Sequence, residues 1–381
     1  MVSMNHAGRL EQLRSQMQNQ AVEGVFLPLD ASLEYFTGAP RAAVTNTRTR
    51  QNSAEYAGLL ITGKETVYFN SRLSAMGLLA KSEKYPLISQ FIPFQDADLE
   101  GKTFVDTCLK LGLRGKKLGF LSDISSTLVL RLQKDLDVTW TSFDAVVQQM
   151  RAKKDSQELL LMKRAAAIND KIYNTLFPQL QPGTAVEEIA REIDRLIQVF
   201  GAQSTSFITS VMNFGPGEGV RYGDYYPVLR RGYTLSFDYG VLCDGYCSDF
   251  GRTVFFGEPS QDLIKAHELV MRAQKHAIAE MKAGKITGAE LNRLARQVIL
   301  AGGYDSEFSH RLGHGIGKDV HERPFLAEGE ERVLENGMCF TVEPSICLPH
   351  RGLVRVEDVV TVTPDGGENF NSTNWDLTVI E

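Results

Sequence analysis

Four acidic residues stand in segments that otherwise read as apolar strands. Asp238 lies in Leu235-Ser-Phe-Asp238-Tyr-Gly240 and Asp249 in Cys247-Ser-Asp249-Phe-Gly251. Glu343 ends Cys339-Phe-Thr-Val-Glu343-Pro344, and Glu357 interrupts Val354-Arg355-Val-Glu357-Asp-Val-Val-Thr-Val. A carboxylate in such a place is unfavourable unless a cation or a hydrogen-bond donor meets it. With His314 the order along the chain is Asp, Asp, His, Glu, Glu. Four carboxylates and one imidazole hold too much negative charge to gather without cations. Two divalent metal ions would hold them together; such a pair makes hydroxide from water at neutral pH and clamps the tetrahedral species that follows. The expected protein is a hydrolase whose fold brings these separated segments to one point.

The surroundings of each residue sharpen this. Asp244-Gly245 is a hairpin signal, so the segments on either side run antiparallel and place Asp238 near Asp249. Arg252 is a second candidate partner for Asp249. His310-Arg-Leu-Gly-His314-Gly-Ile-Gly317, followed by His321-Glu-Arg-Pro324, sets three histidines at spacings of four and seven among three glycines. That grouping marks a site. The glycines on either side of His314 give tight backbone that a ligand can approach closely, and they exclude a helical H-E-x-x-H arrangement. Asp358 alternates to the face opposite Glu357 and is not counted as a ligand.

Composition narrows the class. At 381 residues the chain can build two domains, and its net charge of -6 argues against nucleic acid or anionic membrane as a partner. No run approaches the roughly 18 apolar residues of a membrane span, and residues 1–20 lack the apolar core of a signal peptide. The expected compartment is the cytoplasm. The five cysteines are odd in number, which favours reduced thiols; Cys243 and Cys247 flank a turn, but no second pair completes a zinc clip. The stretch Asn213-Phe-Gly-Pro-Gly-Glu-Gly219 lacks the Gly-Lys-Ser/Thr and the helix of a phosphate loop.

Residues 1–148 alternate helical and strand patterns. Strands are expected at 24–27, 58–62, 65–69, 117–121 and 138–142, with helices at 7–20 and 125–136 and a helix-like stretch ending at Tyr35-Phe36-Thr37-Gly38. The charged stretch 151–155 marks a boundary, and Asp155 with Glu158 forms a capping-box start for a long helix. The remainder, 149–381, contains a faint repeat. Thr184-Ala-Val-Glu187 and Thr287-Gly-Ala-Glu290 each open a helix that ends at a glycine, Gly201 or Gly302, and each is preceded by a longer helix. Two helix–helix–strand halves would set paired helices against one antiparallel sheet with a central cleft. The fold class is thus α+β, a duplicated C-terminal domain carrying the site and a smaller N-terminal α/β domain.

At this point the chain resembles the pita-bread metallopeptidase family, which includes Xaa-Pro dipeptidase (prolidase), Xaa-Pro aminopeptidase, methionine aminopeptidase and the metal-free relative creatinase. The blocks D-x-G … SD-x-x-RT, HR-x-GHGIG-x-x-x-HE, T-x-EP and R-x-ED follow in order over 207–363, and Tyr35-Phe36-Thr37-Gly38 resembles the creatinase-like N-terminal domain. The resemblance implies that Asp238 binds one metal, that Asp249 and Glu357 bridge the pair, and that His314 and Glu343 complete the other. It implies a proton shuttle in Glu343, a donor to the substrate carbonyl or oxyanion in His321, and pocket-lining roles for His310 and Arg355, the latter steering a carboxylate. An oxygen-rich donor set suits Mn²⁺, with Co²⁺, Fe²⁺ or Zn²⁺ as alternatives. Similar proteins are homodimers whose N-terminal domains make the contacts; Arg41, Arg48 and Arg50 could reach a neighbouring site or form a solvated basic face.

One position departs. Seventeen residues before Asp238 the family places a substrate-handling histidine, and this chain has Arg221. Arginine holds a carboxylate bidentately but does not exchange a proton near neutral pH. Two substrates follow as expectations: a small peptide of the Xaa-Pro kind, or a small carboxylate-bearing metabolite with a C–N bond, as in ectoine hydrolase. A metal-free scaffold would have lost metal ligands, and a creatinase-like mechanism would need the missing histidine.

Overall fold

Val25 and Leu27 face one way from the strand Gly24–Leu27 and Phe26 faces the other, so a strand of four buried residues needs cover on both sides. The computed structural model supplies it. It describes residues 4–41, 56–95, 97–98, 100–215, 227–304 and 306–381 and divides into two compact units, Met1–Met150 and Arg151–Glu381. In the first unit Gly24–Leu27 lies inside a mixed six-stranded sheet. The order is Gln90–Phe94, Thr66–Ser71, Gly58–Thr62, Gly24–Leu27, Lys117–Phe120, Thr139–Ser142. One face packs on the helices His6–Asn19 and Ala31–Thr37, the other on Lys102–Lys110 and Ser126–Leu136. Gly38, with φ 74°, closes the helix Ala31–Thr37 in the left-handed conformation that glycine tolerates best. Arg41 is bound to Glu34, while Arg48 and Arg50 lie outside the described residues.

The second unit has the expected two halves. Helices Ser156–Leu176 and Val186–Val199 cover a sheet ordered Thr378–Ile380, Phe250–Phe256, Thr234–Tyr239, Ser210–Phe214. Helices Gln261–Glu280 and Gly288–Ala301 cover a sheet ordered Glu322–Leu326, Gly313–Gly315, Cys339–Val342, Asp358–Thr363, Gly366–Asn369. Within the first sheet Gly251 is the register partner of Asp238. Gly251 and Glu357 exchange both backbone hydrogen bonds, at 3.2 and 2.9 Å, so the halves meet at a bridge between the two sheets. A Cβ on Gly251 would lie 2.8 Å from Glu357 Oε2 and 2.9 Å from its Cβ, which leaves room for glycine alone.

Asp155 caps the long helix through both halves of a capping box, as the sequence indicates. Thr287 does the same for Gly288–Ala301. Thr184 does not: the helix starts at Val186 with Ala185 as its cap residue and no side-chain cap. The Val186 N–H instead donates to the Pro227 carbonyl, a tertiary bond that replaces the local one. Among the described residues no helix is long and apolar enough to cross a membrane.

Candidate metal centre

The Asp244-Gly245 pair turns the hairpin between Val241–Cys243 and Tyr246–Cys247, with both residues at positive φ. Asp238 is thereby carried near the end of one strand and Asp249 to the start of its neighbour. From the other half, His314 sits in the strand Gly313–Gly315, Glu343 directly follows Cys339–Val342, and Glu357 directly precedes Asp358–Thr363. All five line one pocket of about 640 Å³, together with His310, Arg311, His321 and Arg355. Arg221 lies outside the described residues.

Within the pocket, His314 Nε2 is 3.5 Å from both Asp249 Oδ2 and Glu343 Oε1. Its Nδ1 is 3.1 Å from the Gly315 carbonyl, which directs the proton to Nδ1 and leaves Nε2 as a donor to a metal. One ligand atom each from Asp249, His314 and Glu357 lies within 4.8 Å of the others. Asp249 Oδ1 and Glu357 Oε2 are buried without a hydrogen bond; the latter has only an ion-pair contact, at 3.4 Å from Arg355 Nε. Buried carboxylate oxygens left this way need a cation, and oxygen donors around one imidazole fit a divalent ion.

The electrostatics agree. Burial, reinforced by Asp249 and Glu343, drives the Glu357 carboxyl well above the usual range. Burial, with Asp249 and Asp238 adding to it, lifts Glu343 to about 7 against the pull of His314 and Arg355. Burial works to lower His314, but Asp249 and Glu343 outweigh it and raise the imidazole. Burial and the neighbouring His314 hold His321 down at about 4, and burial holds His310 there too.

The supporting residues were harder to find in the sequence. Thr341 Oγ1 accepts the His314 backbone N–H at 3.0 Å and donates to Glu343 Oε1 at 3.2 Å, tying two candidate ligands together. Thr253 Oγ1 accepts the Arg355 N–H and donates to the Arg355 carbonyl. Both threonines lie in motifs already singled out, but only the tertiary structure shows what their hydroxyls touch. His310 uses both ring nitrogens, toward the Arg311 carbonyl and Ser345 Oγ, so it orients the pocket wall. Arg355, expected to steer a substrate carboxylate, is engaged inside the protein at 2.7 Å from Asp238 Oδ2.

Arg252 does not pair with Asp249; its guanidinium binds Asp358 Oδ1 at 2.7 Å and the carbonyls of Gly251 and Glu357 at 2.8 Å. Asp358 is fully buried on that opposite face, also accepting from Gln274 and Asn369. The glycine before His314 serves packing rather than ligand approach, since a Cβ on Gly313 would lie 1.9 Å from the Thr341 carbonyl oxygen. Cys243 and Cys247 turn to separate partners, Asp244 and the Lys318 carbonyl.

A buried set of carboxylates around one imidazole, where two half-sheets meet, is the donor set of a metal-dependent hydrolase. Comparison with known proteins gives the family. The sequence profile of metallopeptidase family M24 matches residues 160–364, and that of the creatinase/prolidase N-terminal domain matches 9–153. The Xaa-Pro dipeptidase of Pyrococcus horikoshii is 30% identical over 330 residues, 84% of this chain and 93% of that one. Among solved structures, the recombinant prolidase from Thermococcus sibiricus superposes with a TM-score of 0.88 at 27% identity, covering 99% of this chain and 100% of that one. The Xaa-Pro dipeptidase from Bacillus anthracis gives 0.85 at 28% identity, covering 99% and 100%. This chain belongs to metallopeptidase family M24, with the pita-bread fold, and is a hydrolytic enzyme.

Proposed function

We propose that the protein hydrolyses a C–N bond in small peptides with two divalent metal ions, in the manner of an Xaa-Pro dipeptidase. One observation carries the reading: five ligand-type side chains from both halves converge on one pocket, in a chain whose relatives bear that name. Asp238 would hold one ion, Asp249 and Glu357 both, and His314 and Glu343 the other, with Mn²⁺ the best fit to mostly oxygen donors. Bound there, the ions supply Lewis acidity and a nucleophile from water at neutral pH. Glu343, which accepts a hydrogen bond from Thr341, would take a proton and return it to the leaving amine. His321 offers a ring N–H to the substrate carbonyl oxygen. Arg355 fixes Asp238 and Glu357, and His310 fixes Ser345. The unit Arg151–Glu381 is the catalytic domain in this reading. The N-terminal unit supplies homodimer contacts, and five unbridged cysteines support a cytoplasmic setting.

The test is proline release from a panel of Xaa-Pro dipeptides by Mn²⁺-reconstituted protein, with Asp238→Ala as control. Release that the control lacks supports the reading. Two bound metals without release would instead favour the second reading suggested by Arg221, a small cyclic or modified amino acid as substrate.

A further inference from the structure

Arg355 and Arg311 both line the pocket, but they differ in what they touch. Arg355 is spent on Asp238 and Glu357. Arg311 makes no ion pair with a carboxylate among the described residues, and its buried Nε has no hydrogen-bond partner. Its guanidinium carbon lies 4.8 Å from the centroid of the Phe325 ring. Contact with a ring face steadies a guanidinium while leaving its N–H edge available, the geometry that grips a planar anion. Around it the pocket wall is apolar, formed by Phe207, Val320, Phe325 and Ala327.

A dipeptide brings a free carboxylate into a pocket already lined by four carboxylates. Cations at the metal centre offset those four, and the substrate's own anion still needs a fixed partner. We infer that Arg311 is the anion-recognition residue of this pocket, gripping a substrate carboxylate through charge-assisted hydrogen bonds while the apolar wall receives the residue that carries it. This deepens the peptide-hydrolase reading and rests on it. The carboxylate has two sources, the C-terminus of the dipeptide or an acidic side chain.

The experiment compares wild type, Arg311→Gln and Arg311→Lys, all Mn²⁺-loaded, on Ala-Pro, Asp-Pro and Ala-Pro amide. The expected result for Arg311→Gln is a KM raised about 10- to 100-fold, the scale of a lost charge-assisted contact, with kcat little changed. A rise for Ala-Pro and Asp-Pro but not for the amide identifies the C-terminus. A rise for Asp-Pro alone identifies the side chain. Arg311→Lys should recover part of the loss, which a merely structural role would not predict. Equal effects on all three substrates, or none, would overturn the inference. Calorimetry with N-acetylproline, N-acetylaspartate and N-acetylproline amide reads the same point without turnover. Weaker binding of either acid alone in Arg311→Gln supports the inference even if no peptide is cleaved. If wild type cleaves no peptide, the broader reading fails; if both acids bind wild type and Arg311→Gln equally or bind neither, this one fails.

Discussion

The two halves of the C-terminal unit are the same construction used for different chemistry. Each sets a long helix and a helix of 14 residues against its own sheet, Ser156–Leu176 with Val186–Val199 and Gln261–Glu280 with Gly288–Ala301. At the same step along each long helix a buried amide reaches the segments that carry the candidate ligands. Asn169 donates to Ser248 Oγ beside Asp249, and Gln274 donates to the carbonyls of Val342 and Val356 beside Glu343 and Glu357. The first half contributes two aspartates at a hairpin, and the second contributes the imidazole and two glutamates. A duplicated scaffold thus presents short candidate ligands from one side and long ones from the other. The site exists only where the halves meet, at the bridge of Gly251 and Glu357.

The sharpest way to break the pairing is Asp249→Ala. It removes a first-half carboxylate that the reading assigns to both ions, so metal analysis should show the pair lost and turnover at background. Full activity with two metals retained would dispose of the two-metal mechanism. Next in size is the junction itself. Arg252→Met strips the buried partner from Asp358 and the donor from the Gly251 and Glu357 carbonyls. Breaking a buried pair on one side costs about 3–5 kcal/mol, whereas the double change with Asp358→Leu should recover part of it. Urea unfolding of the single and double variants reads both numbers.

The candidate ligands are legible in the sequence because each violates a local rule. A carboxylate in an apolar strand segment announces an unmet need, and strand alternation alone separated Glu357 from Asp358. The Asp244-Gly245 turn and the Asp155 capping box were equally local. Elements governed by tertiary context stayed hidden. The strand Gln90–Phe94 contains Pro93, which argues against a central strand, and it is indeed an edge of its sheet. The helix Arg72–Leu79 follows Ser71, but that side chain makes no capping hydrogen bond and a glycine sits near the helix end, so its local signal is weak. Arg252 stands three residues from Asp249 in sequence, but its partner Asp358 lies across the junction. Thr253 and Thr341 look like ordinary strand residues until their hydroxyls are seen bonded to Arg355 and to His314 and Glu343.

A smaller asymmetry between the halves concerns acid. Counting along the long helices, His267 in the second half occupies the step held by Met162 in the first, and both are buried. Burial drives the His267 imidazole down to about 4. Its folded value lies below its ordinary one, so the unfolded chain binds the proton more tightly. The neutral ring's contribution is complete above about pH 6.5 and is lost as pH falls toward 4, an effect of about 3 kcal/mol. His267→Met should remove this part of the acid sensitivity and make the second half resemble the first. Stability measured at pH 7, 5.5 and 4.5 checks it; equal slopes for wild type and variant would place the acid response elsewhere.

The smallest difference between the halves is the most exact test of how local signals become structure. Thr184 and Thr287 open the same Thr-x-x-Glu pattern, but only Thr287 closes the box: its Oγ1 accepts the Glu290 N–H at 3.2 Å, and Glu290 Oε2 accepts the Thr287 N–H at 2.9 Å. Thr287→Ala should therefore cost about 1 kcal/mol, the usual loss on removing a capping side chain. Thr184→Ala should stay within about 0.5 kcal/mol, because the Pro227 carbonyl has taken over the helix start. Chemical denaturation of the two variants side by side decides it. Equal losses would mean that Thr184 caps its helix after all and that the first half starts as locally as the second. Unequal losses would show one motif read two ways, by its own side chains where tertiary structure leaves it alone and by a neighbouring loop where it does not.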